Sequence, residues 1–498
     1  MPFFPIDLPR NTAVEGENFQ IPNPRNPSET ITPDVSQLPG INPLFSPRVG
    51  INWDVNGDQS IQVRGGTGLF SGRMPFVWIS NQVNANGVMR DQIGLLRNQW
   101  GTGQNPQWQG FQDDVNFYRP DPNNINPQVP VQLNVTDPNF KFPQVWRSNL
   151  ALDAKLPFGV IGGVEFIYSR DFNQPLALNL ANNQTGVMAN VAGVDYPLYQ
   201  QRLPNVPTTS RLREVYYLTN INAGSYVSGT VSLSKDFGRG FYTSFAYTRS
   251  QTRDYGLIGG SQAQSLWPNV AQNDRNNPET GFGRFDQPNR IVSVVSFDTR
   301  FLNAKNNTRF SIFYEGGEQG RYSYTYSGNF GDGNGVRLMR VPRNIDEAQL
   351  IDFTSGGRTV TRQEQWTALD AYISQSPYLS SVRGEVTERN GAMLPWLHRF
   401  DFRMVQDFLL GKDETGNKLQ LTFDILNVGN LINSEWGVAN LINQSNLMQY
   451  RGRDANGNAQ FTANFQTGVG AFPEESFRPN FNLSQTWSGQ VGIRYIFK

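Results

Sequence analysis

The connections in this chain alternate between very short and very long, and few folds tolerate that pattern. Residues 48–54 alternate, with Val49, Ile51 and Trp53 on one face. Asn56-Gly57-Asp58 is a strong turn signal, and Ile61, Val63 and Leu69 form the returning face. A polar, Asn/Gln/Pro-rich stretch then runs over residues 72–142. Trp146, Leu150 and Leu152 follow, then a turn at Pro157-Phe158-Gly159, then Val164, Phe166 and Tyr168. The same plan recurs. Val227, Val231 and Leu233 turn at Asp236–Gly240 into an aromatic stretch, 241–248, whose facing is ambiguous. Residues 291–300 turn at Asn303–Asn307 into Phe310, Ile312 and Tyr314. Phe400, Phe402, Met404 and Phe408 turn at Gly411–Asn417 into Leu419, Leu421, Phe423 and Ile425. Between these pairs lie connections of roughly forty to eighty residues, whereas compact soluble domains seldom hold several structureless loops beyond about 15 residues.

The chain ends on one more alternating stretch. Trp487, Val491, Ile493, Tyr495 and Phe497 point one way, and Thr486, Ser488, Gln490, Gly492 and Arg494 point the other. Throughout, one face is aromatic and aliphatic, and the other carries Arg, Asp, Asn and Ser. A transmembrane β-barrel with a wet lumen requires this, because every backbone group pairs inside the sheet and only one face meets lipid. A soluble sandwich turns the same apolar face inward. A propeller needs repeats of about 40–50 residues, and none is visible. The expectation is an all-β chain, an antiparallel transmembrane barrel with long extracellular loops. About eleven strands are counted, and single-chain bacterial barrels have even numbers. The first strand therefore expects a partner outside this chain, and the sheet reads as about half of a larger barrel. Residues 1–44, rich in Pro, Asn, Ser and Thr, read as a loop segment.

Composition narrows the chemistry. There are no cysteines and one histidine, so disulfides, thiolate metal sites, cysteine nucleophiles and multi-histidine zinc sites are excluded. A net formal charge of +0 gives no electrostatic case for nucleic acid. No stretch approaches 18 apolar residues, and mean hydropathy is −0.49, which leaves barrel strands open because their alternation averages out. Gly65-Gly66-Thr67-Gly68 lacks the Gly-Lys-Ser/Thr of a phosphate loop and continues a strand. Gly411–Lys418 reads as a turn for similar reasons. Asp54, Asn56 and Asp58 have calcium-like spacing without the later bidentate Glu, so they read as a hairpin turn. Asp113, Asp114, Glu474 and Glu475 read as solvated loop charge. His398 falls where loop becomes strand, with no nucleophile constellation beside it. Trp78, Trp100, Trp108 and Trp267 read as loop packing residues before ligand contacts. The expectation is no enzyme activity, no cofactor and no metal. Arg399, Asp401, Arg403, Asp407 and Arg494 are the candidates for lining the lumen.

Three stretches carry a resemblance. Gln490, Gly492, Tyr495 and Phe497 resemble the C-terminal signal by which outer-membrane barrels are recognised for assembly, although Lys498 follows the aromatic. Residues 45–58, 61–73 and 75–78 resemble the barrel of Oar-like TonB-dependent receptors, and residues 423–433 resemble the strand and loop before the last strands of those receptors. This resemblance runs from about residue 45 to the end. It implies a 22-stranded outer-membrane barrel filled by an N-terminal plug. It further implies an energised partner, TonB, reached through a motif on the plug side. Residues 45–498 would then be the C-terminal part of that barrel, with the plug, the TonB-contacting motif and the N-terminal domain outside the chain. The implied partners are outer-membrane lipid, the TonB complex and the barrel-assembly machinery, with no nucleic acid. The implied function is uptake of a large or scarce substrate. A passive porin or an adhesin barrel, and a soluble all-β binding protein, are the alternatives.

Overall fold

The computed structural model describes residues 10–12, 14, 21–23, 26–31, 35–85, 87–88, 112–114, 117, 130–201, 212–256, 260–267, 271–303, 306–331, 336–410, 417–466 and 468–497. Its main element is a sheet of twelve strands, of which the two-residue strand Gly281–Phe282 lies off the main path, leaving eleven. These are β1 (Arg48–Asp54), β2 (Ile61–Ser71), β3 (Gln144–Leu156), β4 (Val160–Phe172), β5 (Ser225–Asp236), β6 (Phe241–Asp254), β7 (Asn289–Asn303), β8 (Asn306–Glu318), β9 (Trp396–Leu410), β10 (Asn417–Leu426) and β11 (Ser488–Ile496). Each pairs antiparallel with its sequence neighbours, so the path is a simple meander from β1 to β11. Every alternating stretch of the sequence is a strand of this sheet, and most of these strands extend beyond the apolar pattern at one end or both.

The short turns form for local reasons. Asp54 accepts the backbone N–H groups of Gly57 (3.0 Å) and Gln59 (2.9 Å), and Gly57 has φ +74°, where a Cβ is disfavoured. Asp236 closes the β5–β6 turn by accepting from Gly238 N at 2.8 Å. Of the remaining turns, residues 304–305, 411–416 and the terminal Lys498 lie outside the described residues, as do Trp100 and Trp108.

The sheet is inside-out by soluble standards. Register carries Trp53, Val63, Leu152, Val164, Val231, Tyr247 and Ile291 along one row of the same face. The apolar residues of this face are exposed to the surroundings rather than covered by a second layer: Val491 is 73% exposed and Ile493 74%. The facing of β6 is also resolved, with Phe241, Phe245 and Tyr247 on the apolar side and Tyr242 on the polar side. No helix among the described residues is long and apolar enough to cross a membrane.

The long connections correct the reading of them as featureless. They hold their own strands, helices and core. Glu214–Ile221 pairs parallel with Gln132–Thr136 and antiparallel with Gln174–Asn179, joining two connections in one small sheet. The helix Arg362–Gln375 opens with a capping box, in which Glu364 N donates to Thr361 Oγ1 (3.3 Å) and Thr361 N donates to Glu364 Oε2 (3.0 Å). Three connections share one aromatic core, with Tyr196 from the first, Tyr324, Tyr326 and Tyr372 from the second, and Phe461 from the third. The N-terminal stretch also departs from a plain loop. Ile21–Asn23 pairs with Asn26–Ile31, and Val14 and Val35 are buried in a second core with Leu133 and Val215. Propensity hid these elements because their apolar residues meet across connections, not along one period. The eleven-strand sheet is thus a wall, and the co-folded connections form a cap.

Candidate functional site: the polar wall and its covering loops

Alternation places every second side chain of the wall on the face opposite the exposed apolar one. That face carries a ladder of charges. Arg64 meets Asp153 at 2.6 Å. Arg309 forks onto Asp298 with hydrogen bonds of 2.5 and 2.7 Å, and Arg290 meets Glu315 at 2.8 Å. Most of these side chains are a third or more exposed, so each pair adds only about 0–1 kcal/mol. They hold charge in a fixed array on a wet surface and contribute little to holding the sheet.

The lumen-lining candidates all lie on this face. Arg403 is in register with Asp424 and approaches it to 3.4 Å. Asp407 accepts from Lys418 Nζ (2.9 Å) and Gln420 Nε2 (2.8 Å). Asp401 accepts the backbone N–H of Asn427 at 2.7 Å, at the point where β10 passes into its long connection. Arg494 stands opposite Gln420, exposed, with no ion pair among the described residues. Arg399 is opposite Glu315 yet not paired with it, and its Nε is buried without a hydrogen-bond partner.

The terminal pattern divides between the faces. Gln490 and Gly492 are on the polar side, opposite Asp424 and Thr422. A Cβ at Gly492 would lie 2.5 Å from Thr422 Oγ1, which explains a glycine there. Tyr495 and Phe497 stand on the exposed apolar side, ring centroids 6.0 Å apart.

Other candidates resolve into structural roles. Gly65, Gly66 and Gly68 lie within β2, where added Cβ atoms would crowd neighbouring strands. Trp267 is buried, donates to Asn276 Oδ1 (3.0 Å) and lies under the Arg275 guanidinium, while Trp78 donates to Gly260 O (2.9 Å). His398 is on the outward face, stacked between Trp396 and Tyr314, with Nδ1 2.8 Å from the Tyr314 hydroxyl. Trp396, Tyr314 and Phe400 cluster with it, the Tyr314 and Phe400 ring centroids 4.8 Å apart. The carboxylates Asp113, Asp114, Glu474 and Glu475 stay exposed. Among the described residues no group of three acidic or histidine side chains is placed to hold a metal.

Two features were not visible in the sequence. One is the tie between wall and cap. Arg389 bonds Asp254 of β6 at 2.8 Å, and Asp286, its side chain fully buried, accepts from Thr252 N of β6 at 2.6 Å and from Arg321 at 2.7 Å. The other is a cavity of about 480 Å³ where the polar face of β8 and β9 meets the cap. Its lining includes Gln287, Glu315, Gln319, Arg399, Asn440 and Gln485. Alternation within β8 could have placed Glu315 on the polar face, but nothing in the sequence brings Asn440 or Gln485 to it.

The sequence profile of an outer membrane beta barrel domain matches residues 16–467. The chain belongs to that family. Its all-β, antiparallel, outward-apolar sheet is a transmembrane wall, and its place is the bacterial outer membrane. No curated protein sequence matches it. Among solved structures, the outer membrane transporter YddB from Escherichia coli is similar at 10% identity and a TM-score of 0.39, over 89% of this chain and 40% of that one. Two mutants of the ferric enterobactin receptor PfeA from Pseudomonas aeruginosa are similar at 7% and 8% identity, with TM-scores of 0.36 and 0.35, over 90% and 84% of this chain and 40% of each of theirs. The chain thus spans less than half the length of these structures.

Proposed function

We propose that this chain is the C-terminal barrel portion of an Oar-like TonB-dependent receptor, taking up a large or scarce substrate across the outer membrane with energy delivered through TonB. The observation that carries this reading is the charged, hydrogen-bonded face behind the apolar one, which suits a hydrated lumen. Among the described residues β1 and β11 each pair on one side only, and an unpaired edge is not viable in lipid. We read the missing partners as an upstream half, which brings the barrel near 22 strands. On that reading residues 1–44 are an extracellular loop segment and residues 45–498 the later wall, with the long connections facing outward as in barrels of this kind. Arg399, Asp401, Arg403, Asp407 and Arg494 line the lumen, and the upstream plug docks against this face by charge-assisted hydrogen bonds. Gln490, Gly492, Tyr495 and Phe497 present the assembly signal. Catalysis plays no part; binding and gated movement do.

The test uses outer-membrane fractions of the source cell, boiled and unboiled, blotted for this chain after cross-linking. A heat-shifting band near twice the 56.0 kDa chain mass that cross-links to TonB is expected. A membrane band at the chain's own mass, with no TonB adduct, sinks active transport in favour of a passive porin or adhesin barrel.

A further inference from the structure

The cavity of about 480 Å³ between β8, β9 and the cap has one unsatisfied charge. Glu315 is occupied by Arg290 at 2.8 Å. Glu318 is buried and takes both the backbone N–H and the side-chain amide of Asn289. Gln319 spans two connections, donating to Pro395 O (2.9 Å) and accepting from Asn440 N (2.6 Å). Gln485 accepts from Ala439 N at 3.2 Å. These bonds set the walls in place before anything enters. Two groups are left over. Arg399 has no ion pair or hydrogen bond among the described residues, and its Nε is buried. The Asn440 side-chain amide likewise has no partner among the described residues. A guanidinium partly withdrawn from water and left unpaired is costly, and a planar oxyanion is the group that matches its fork.

We propose that this cavity binds the carboxylate of a small polar organic acid, with Arg399 as the anchor and Asn440 as a second hydrogen-bonding group. The inference rests on the reading of this face as a lumen, and it narrows the substrate to an oxyanion-bearing solute. Preset walls favour it, because little side-chain entropy is lost on entry. On this proposal the carboxylate comes from solution; a docked protein segment supplying it instead is read as an Arg399 that never labels.

The probe is citrate, with glycerol as the uncharged control, on the complete protein extracted from outer membranes in detergent. Phenylglyoxal labels accessible arginines, and peptide mass spectrometry reads each site separately. Arg399 labels freely without citrate, labels more slowly with it, and is unaffected by glycerol, while Arg494 on the same face is unchanged throughout. Calorimetry then shows citrate affinity falling about tenfold or more in Arg399→Gln and only partly in Arg399→Lys, the loss expected for a charged hydrogen bond. A retained heat-shifted band shows that each variant is folded. Equal labelling with and without citrate, or equal citrate affinity in wild type and Arg399→Gln, overturns the inference. So does an Arg399 that never labels, because the site is then covered by protein. Binding is read without an energised membrane, so citrate protection at Arg399 with no TonB adduct would defeat active transport while leaving this site standing.

Discussion

The wall and the cap use the same residues against opposite solvents. On β11 Val491, Ile493 and Tyr495, and just beyond it Phe497, stand exposed on the outer face. In the cap, Tyr324 and Phe461 are both 0% exposed, and the Tyr326 ring stacks on Phe461 at 4.6 Å. The wall hides its polar backbone in a hydrogen-bonded meander and gives its apolar side chains to lipid. The cap hides its apolar side chains and gives its polar surface to water. A burial profile alone would score the wall as badly folded. The family match and the outward apolar face together show why it is not.

The largest way to break this comparison is to remove a ring from each region. Phe461→Ala empties a close-packed site touching Tyr326 and Tyr450, at a cost of about 3–5 kcal/mol typical of buried aromatics. Phe423→Ala on the outer face of β10 leaves a gap that lipid chains fill, and costs far less. Limited proteolysis should cut the Phe461→Ala cap within connections 319–395 and 427–487, while the heat-shifted band of the wall persists. Equal loss of wall and cap would mean that the two are one cooperative unit.

A charge sharpens the assignment of faces. Val491→Arg places a guanidinium on the outward face and should cost about 2–4 kcal/mol if that residue lies near the bilayer midplane. Gln490→Arg, one residue away on the polar side, should cost about zero. Urea titration of protein folded into lipid vesicles reads both. Equal effects would refute the two-sided reading.

This contrast also explains what the sequence disclosed. All eleven wall strands were counted in the sequence, most of them because a strand with two different solvents writes its faces as a period of two, although 241–248 left its facing ambiguous and 291–300 alternated less cleanly; Asp54, Asn56 and Gly57 or Pro157 and Gly159 punctuate the turns. Arg399, Asp401, Arg403, Asp407 and Arg494 were legible as polar-face residues by the same alternation. The cap was not. Its helix Arg362–Gln375 turns only Gln365, Leu369, Tyr372 and Ile373 fully inward, too few for a clear stripe, and its aromatic core is assembled from residues as distant as Tyr196 and Phe461. The Arg399 cavity stayed hidden for the same reason. Gln287 belongs to one connection and Asn440 and Gln485 to opposite ends of another, and no local pattern records that they meet.

Acid gives the smallest and most local separation of the two regions. Burial raises the pKa of Glu347 in the cap, but hydrogen bonds from the Arg343 side chain and backbone and from Arg340 outweigh it and bring the pKa down to about 2 from the ordinary 4.5. A carboxylate depressed in the folded state stabilises it at pH above 4.5, and that contribution is lost as pH falls from 4.5 towards 2. Arg343 is well exposed, so solvent screens part of the interaction and the loss is graded. Hydrogen exchange should therefore quicken around residues 340–348 across this window, with the amides of β10 and β11 still protected. Glu347→Gln should exchange quickly there even at neutral pH and show a flatter acid response. If the variant and the wild type respond to acid alike, another group opens the cap, and Glu347 is only a bystander to the Arg340 and Arg343 contacts.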